Sequence, residues 1–339
     1  MKLSTIGIDL AKNIIQVRTS TINGQHKSNK ALKRSDFLEY MNQQPNSLIG
    51  MESCGSSHYW ARKLEQLGHT VKLMQPRYVK PFVMGQKNDK NDADACHTAV
   101  RQPDMRFVPI KTIEQQDIQM ILRVKERLEK QQTALANQLR GLLREYGVFI
   151  PVGIDKLFSK LPDILEDAEN ELTGYSRTIF CLLGEELRAN RKLIKRIEQE
   201  INRLVSNNKW CQLLIQEIKG IDPMTALSFV NSIQDGSHFK NGRHVSAWIG
   251  LVPRQYSSGG KTKLGKISKQ GSSSLRRLLF LGARSVMRVC QNKEDKMSQW
   301  IQSLLARHPH RKVAIAVANK MARMAWAVLN RYRIEGLPA

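Results

Sequence analysis

Short runs rich in Ile, Val and Thr occur at residues 4–9, 14–19, 48–52 and 70–74, and a further extended run reaches Lys27. Runs of this length and composition predict β-strands. Between and after them the apolar positions switch to helical spacing, which predicts helices over 35–42, 57–67, 76–84 and 91–101. The order is three strands, then alternating helix and strand, so residues 1–108 read as an α/β domain.

Two much longer helical patterns follow. Ile118, Ile121, Leu128, Leu135, Leu139, Leu142 and Tyr146 keep a three/four spacing, a heptad-like seam on one helix over 113–146. Ile179, Leu183, Leu187, Ile194, Ile197, Ile201 and Leu204 mark a second seam among Lys, Arg and Glu. The pair predicts an antiparallel hairpin or an oligomer contact over 109–206, with a loop opening at Pro151. Beyond Asn207 the pattern predicts mainly helical structure, with short helices broken by Gly and Pro, to residue 339.

A chain of 339 residues with 41% hydrophobic content has enough material for two or three packed cores. Its charge is the unusual quantity: 54 Lys and Arg face 30 Asp and Glu, a net charge of +24, which points to a polyanionic partner. The excess is local. Residues 240–339 hold 20 Lys and Arg against Glu294, Asp295 and Glu335, a net +17, and nine of those cations fall within 254–288 with no acidic residue among them. Nucleic acid fits such a stretch. No apolar run approaches the roughly 20 residues that span a bilayer, and the start MKLSTIGIDL lacks the layout of a signal peptide, so a cytoplasmic protein without membrane partners is expected. Cys54, Cys96, Cys181, Cys211 and Cys290 are scattered, with no zinc spacing and no disulfide framework.

Four carboxylates stand where strand ends and a facing helix would bring them together. Asp9 ends the first strand in GIDLAK and Glu52 ends LIGME, while Asp89 and Asp92 lie one helical turn apart in QKNDKNDADA. Any one of them has an ordinary explanation; Asp92, for example, could cap the helix that follows. Together they predict a site for Mg2+ or Mn2+, suited to phosphoryl transfer. Asp94 falls on another helical face and reads as solvated.

The segment AWIGLVPRQYSSGGKTKLGKISKQGSSSLRRLLFLGAR joins a Ser-Ser-Gly-Gly turn to dense cations and a helix starting near Ser273. Arg254, Lys261, Lys263, Lys266, Lys269, Arg276, Arg277 and Arg284 are its candidate phosphate contacts, with Arg277, Arg284 and Arg288 sharing a helical stripe. A serine hydroxyl needs a base or a metal to attack, and no histidine lies close in sequence, so a carboxylate-held metal is the candidate activator. Spacing alone leaves Ser257 and Ser258 open. Trp248, Tyr256, Trp300, Trp326 and Tyr332 are core or base-stacking residues without a choice between them, and His308 and His310 flank Pro309 in a predicted loop.

The stretches GIDLAK, GMESCGSSHYW, KNDKNDADA and GLVPRQYSSGGKTKLGKISKQGSSSLRRLL together resemble the DEDD transposases of insertion sequence family 110, whose relatives include the Piv-type DNA invertases. The resemblance covers nearly the whole length. It implies a RuvC-like, RNase H-type domain over 1–108, a helical coiled-coil connector over 109–206 and a transposase domain with a catalytic serine over 207–339. It places the DEDD set on Asp9, Glu52, Asp89 and Asp92, and the nucleophile on Ser258, the serine directly before glycine. It further implies a 5′-phosphoserine intermediate, donor and target DNA, a structured guide RNA, and a homo-oligomer, dimer or tetramer, with a composite active site. One departure is the turn that often reads Pro-Gly-Ile-Gly, here Lys219-Gly220-Ile221-Asp222 before Pro223, where Asp222 is expected to cap a helix rather than approach phosphate.

Two other readings compete. A RuvC-like junction nuclease would hydrolyse DNA and leave free ends. A non-enzymatic RNA- or DNA-binding protein would need only the cations.

Overall fold

The computed structural model describes residues 4–86 and 88–336, so Lys87 of the KNDKNDADA stretch lies outside it. The chain divides into two compact units, Met1–Gln116 and Asp117–Ala339.

The first unit runs β1 (Ser4–Leu10), β2 (Ile14–Ser20), β3 (His26–Lys33), α1 (Phe37–Asn42), β4 (Ser47–Glu52), α2 (Ser57–Gln66), β5 (Thr70–Met74), α3 (Pro76–Val79), α4 (Asp89–Ala99) and β6 (Phe107–Val108). The strands form one sheet in the order β3-β2-β1-β4-β5-β6. The β1–β2 and β2–β3 pairs are antiparallel, β1–β4 and β4–β5 parallel, and β5–β6 antiparallel. Alternation along the strands sends Ile6, Ile8, Ile49, Met51, Val71 and Leu73 to one face, where Phe37, Met41, Trp60 and Leu64 of α1 and α2 cover them. The opposite face receives α4, whose Ala95, Cys96, Ala99 and Val100 pack with Met74 and Val79.

Expectation and structure differ in three places here. β3 extends to Lys33 through HKSNKALK, a polar strand whose signal is weak because it is a solvent-facing, lysine-bearing edge. The helix expected over 76–84 stops at Val79 and passes into a 3-10 turn, because Pro81 has no N–H to continue it. α4 starts at Asp89 rather than two residues later, capped by the Asn88 side chain, which accepts the Asn91 N–H at 2.9 Å.

The second unit is helical: α5 (Ile113–Arg144), α6 (Ile154–Glu166), α7 (Gly174–Ser206), α8 (Lys209–Glu217), α9 (Pro223–Ile233) and α10 (Gly242–Ile249) precede a hairpin of β7 (Pro253–Ser258) and β8 (Lys261–Ile267), followed by α11 (Ser273–Val289), α12 (Lys296–Leu305) and α13 (His310–Ile334). α5 and α7 are antiparallel. Lys125, early in α5, pairs with Glu198, late in α7, while Tyr146 just past the end of α5 meets Phe180 near the start of α7.

The stretch after Pro151, expected as a loop, instead holds α6, whose Leu157 and Leu161 join Leu135, Leu139, Leu143, Phe180 and Leu187 in a core of their own. The seams hold along most of their length, with Leu128, Leu135, Leu139, Leu187, Ile194 and Ile201 buried, but slip by one residue near one end of each: Leu142 and Ile179 are exposed, and Leu143 and Phe180 are buried beside them. A straight helix drifts by about 20° per heptad, which moves a strict seven-residue seam off the buried stripe. The main core of this unit gathers Phe229, Ile249, Leu275, Leu279, Ala314, Val317, Met321 and Ala325 around α11 and α13.

Candidate functional site

In β1 and β4 a glycine stands two residues before a carboxylate, as Gly7-Ile8-Asp9 and Gly50-Met51-Glu52. One strand period separates the two members of each pair, so glycine and carboxylate share a face, and that face is the one under α4. The glycines are where the helix sits. A Cβ on Gly7 would lie 2.2 Å from the Ala93 carbonyl oxygen, and one on Gly50 would lie 2.6 Å from Val100 Cβ and 2.7 Å from the Cys96 oxygen. Gly7 and Gly50 are partners in the parallel register, so Asp9 and Glu52 come next on adjacent strands, side by side.

α4 brings the other two carboxylates. Asp89 and Asp92 occupy its first turn, with Asp89 exposed and Asp92 half-buried. Since Asn88 caps the helix, neither carboxylate is used for that purpose. The convergence registers on Cys96, one turn beyond Asp92. Its thiol is pushed up first by burial, then by the fields of Glu52 and Asp9 and, more weakly, of Asp92. Three of the four predicted carboxylates therefore bear on a single buried atom; Asp89 stands one turn further out on the same helix. Among the described residues no three His, Cys, Asp or Glu side chains are drawn close enough to grip an ion as they stand.

Asp94 is not solvated as expected: its Oδ1 pairs with an Arg18 NH1 at 2.5 Å and accepts from Asn29 Nδ2 at 3.1 Å. It does lie on a different side of α4 from the acidic set, because β2 and β3 come within its reach there.

In the second unit Ser257 and Ser258 end β7 at a two-residue turn. Gly259 and Gly260 have φ of 55° and 75°, the left-handed pair that a tight hairpin turn requires. All of 253–266 is exposed. The register pairs Ser258 with Lys261, Ser257 with Thr262 and Tyr256 with Lys263, so Ser258, Tyr256, Lys261 and Lys263 share one face. Ser257 shares the other with Gln255, whose Nε2 donates to the Ser257 hydroxyl at 2.8 Å. The Ser258 hydroxyl makes no hydrogen bond among the described residues.

The hairpin's base is fixed while its tip is free. Ser268 N–H donates to Val252 O and Lys269 N–H to Gly250 O, at 2.8 and 3.1 Å. Arg254 NH2 reaches Ser268 O at 3.4 Å. Arg276, expected as a phosphate contact, donates to the carbonyls of Ile249 and Gln270 at 2.8 and 3.0 Å, and its partial burial lowers its pKa. These bonds brace the hairpin's base. Arg277 pairs with Glu129 of α5 at 3.5 Å, while Arg284 and Arg288 are exposed on the same stripe. Lys261, Lys263, Lys266 and Lys269 are all exposed.

Of the five aromatics, Tyr256 alone is largely outward, at 61% exposure. Trp248 packs on Phe239, Trp300 lies under Lys320, Trp326 donates to Gly236 O and Tyr332 donates to Glu217. The Lys219–Pro223 turn is closed as expected: Asp222 caps α9 through the Thr225 N–H at 2.7 Å, and Gly220 packs against Gly282 of α11. His308 lies in the turn before α13 and His310 opens that helix. Among the described residues no helix is long and apolar enough to cross a membrane.

The model of the IS116/IS110/IS902 transposase family matches residues 212–299, across the serine hairpin, and a second transposase model, for the DEDD group of IS110, matches residues 6–148. A probable family 20 transposase of Pseudomonas aeruginosa is 42% identical over 332 residues, covering 98% of each chain. This chain belongs to the IS110 transposase family. The transposase for insertion sequence element IS1111A of Coxiella burnetii is 38% identical to it over 97% of this chain and 90% of its own. A pilin gene-inverting protein of Moraxella lacunata is a more distant relative, 23% identical over 98% of both. The transposase is thus an enzyme that cuts and rejoins DNA, with an N-terminal mixed sheet unit and a helical C-terminal region.

Proposed function

We propose that this transposase breaks DNA with Ser258 as nucleophile and with Asp9, Glu52, Asp89 and Asp92 as a metal-binding set. The observation that carries the reading is the pairing of Gly7-x-Asp9 with Gly50-x-Glu52 under the helix that bears Asp89 and Asp92. The strand order β3-β2-β1-β4-β5 supports a RuvC-like, RNase H-type unit. An all-carboxylate donor set fits Mg2+ or Mn2+, which would supply Lewis-acid stabilisation of phosphoryl oxygens.

Ser258 Oγ forms a bond to the scissile phosphorus as the bond to the 3′ oxygen breaks; the serine proton passes to a base and the leaving oxygen takes one up. The product is a 5′-phosphoserine and a free 3′ hydroxyl. Attack of a 3′ hydroxyl on the phosphoserine reverses the exchange and rejoins DNA without an external energy source. Lys261 and Lys263, on the serine's face, neutralise the adjoining phosphates, and Tyr256 offers a stacking surface. A structured guide RNA, a homo-oligomer, and a division of the chain at 108 and 206 belong to the same proposal. They rest on the family.

Incubating the full-length protein with Mg2+, guide RNA and end-labelled DNA, followed by denaturing electrophoresis, tests it. A protein–DNA adduct is expected for wild type and lost in Ser258→Ala and Asp9→Asn. An adduct that survives Ser258→Ala removes the nucleophile assignment; free 5′-phosphate ends without any adduct favour a hydrolytic nuclease.

A further inference from the structure

We propose that Asn29 and Arg18 are positioning residues for the acidic set, fixing the rotation of the first turn of α4 and with it the direction of Asp89 and Asp92. The inference rests on reading those carboxylates with Asp9 and Glu52 as a metal site. α4 rests on Gly7 and Gly50 by van der Waals contact, which sets its distance from the sheet but does little to stop it turning about its own axis. A carboxylate about 6 Å from a helix axis moves by roughly 3 Å when the helix turns by about 30°. Octahedral Mg2+ sites require oxygens near about 2.1 Å, so a rotation of that size would dismantle one. Further along the helix the apolar packing and the His97–Ser20 bond at 2.9 Å help to hold the angle, and the first turn, which carries Asp89 and Asp92, needs a hold of its own.

The sheet supplies it from β2 and β3. Arg18 is the register partner of both Gly7 and Asn29, and Gln16 is the partner of Asp9, so all three polar residues stand on the α4 face in two adjacent rows. Asn29 Nδ2 donates to Lys90 O at 3.2 Å and to Asp94 Oδ1 at 3.1 Å, and Arg18 pairs with the same Asp94 oxygen at 2.5 Å. Asn29 Oδ1 accepts from Gln16 Nε2 at 2.6 Å. The chain of bonds therefore runs from the neighbour of Asp9 to Lys90, which lies between Asp89 and Asp92, and to Asp94, two residues beyond. Its grip is lateral, on the side of α4 away from Glu52, where it opposes rotation.

The test uses full-length protein and Mn2+ alone, with free ion measured by electron paramagnetic resonance. Asn29→Ala and Arg18→Ala are expected to weaken Mn2+ binding by roughly tenfold or more, as loss of an orienting outer group does. Amides of 90–95 should exchange faster in the metal-free variants while the far-ultraviolet circular dichroism stays that of wild type. Arg18→Lys, which keeps a single-point ion pair to Asp94, should restore binding to within about threefold of wild type. Should Asn29→Ala fail to fold, Asn29→Ser and Asp94→Asn give the same comparison. Wild-type affinity in Asn29→Ala and Arg18→Ala, alongside loss in Asp9→Asn, overturns the positioning role alone. Unchanged affinity in Asp9→Asn overturns the metal site and this inference with it.

Discussion

Gly7 lies directly opposite Gly50 across the parallel β1–β4 pair, and the two together form the seat on which α4 rests. Each is followed two residues later by a carboxylate on the same face, so the closeness of the helix and the direction of Asp9 and Glu52 are one property of the sheet. Gly7→Ala places a methyl 2.2 Å from a backbone oxygen, which has no flexible end to give way. The expected result is a loss of about 1–3 kcal/mol from the N-terminal unit, the range for overpacking, together with weaker Mn2+ binding. Gly55→Ala is the control, since a Cβ there meets nothing within 4 Å, and it should shift stability by less than about 0.5 kcal/mol. Urea titration and Mn2+ titration of the three proteins check both statements.

Ser257 and Ser258 are adjacent in sequence but face opposite sides of the hairpin, and only Ser258 shares its side with Lys261, Lys263 and Tyr256. Ser258→Ala is therefore expected to lower the rate of adduct formation by on the order of 10³-fold or more, as removal of a nucleophile does. Ser257→Ala removes only an acceptor for Gln255 and should stay within about tenfold of wild type. Single-turnover assays on both variants decide it; the reverse ranking would transfer the role to Ser257.

The positions of the four proposed carboxylates were legible because strand ends and a helix turn carry them, and both follow from local spacing. What supports the set was not, although one cue was present: glycine two residues ahead of each strand-end carboxylate marks a close helix contact on the same face. The lateral bonds of Arg18 and Asn29 to Asp94 are long-range, over 76 and 65 residues, and no periodicity reports them. The hairpin at 253–267 was legible as a turn and not as strands, because both of its faces are exposed and no buried side imprints an alternation. Arg276 reads like its neighbour Arg277 in the sequence. One residue of helix phase, about 100°, separates an arginine that braces the hairpin base from one that pairs with Glu129.

That difference in phase gives a prediction for nucleic-acid binding. Lys261 and Lys263 are exposed on the serine's face, so each alanine variant should reduce the slope of log K against log salt by about 0.9 for duplex DNA. Arg276→Ala should leave the slope unchanged and instead destabilise the C-terminal unit by about 1–3 kcal/mol, since two carbonyls lose a charged donor. Fluorescence anisotropy at four or five salt concentrations separates the two outcomes. A slope change in Arg276→Ala equal to that of the lysine variants would return it to the phosphate contacts.

Acid should loosen the N-terminal unit through His97. Its side chain is buried, and Ser20 Oγ, which donates to Thr5 O, must accept from His97 Nε2 at 2.9 Å, so the neutral ring carries its proton on Nε2. Burial first, then the nearby Arg18 and Arg101, lowers the His97 pKa to about 4. The unfolded chain, with a histidine near its ordinary 6.5, binds more protons than the folded one between those two values. Stability supplied by the neutral ring is therefore present above pH 6.5 and is lost as pH falls toward 4. With solvent screening allowed for, the loss between pH 7.5 and 5 is about 1–2 kcal/mol. Hydrogen exchange of the β1 amides under a urea titration at both pH values measures it. His97→Gln, which keeps a side-chain donor and cannot titrate, should reduce the pH dependence by that amount; His58, also lowered to about 4, accounts for part of what remains. An equal pH dependence in His97→Gln and wild type would mean that the ring does not govern acid stability.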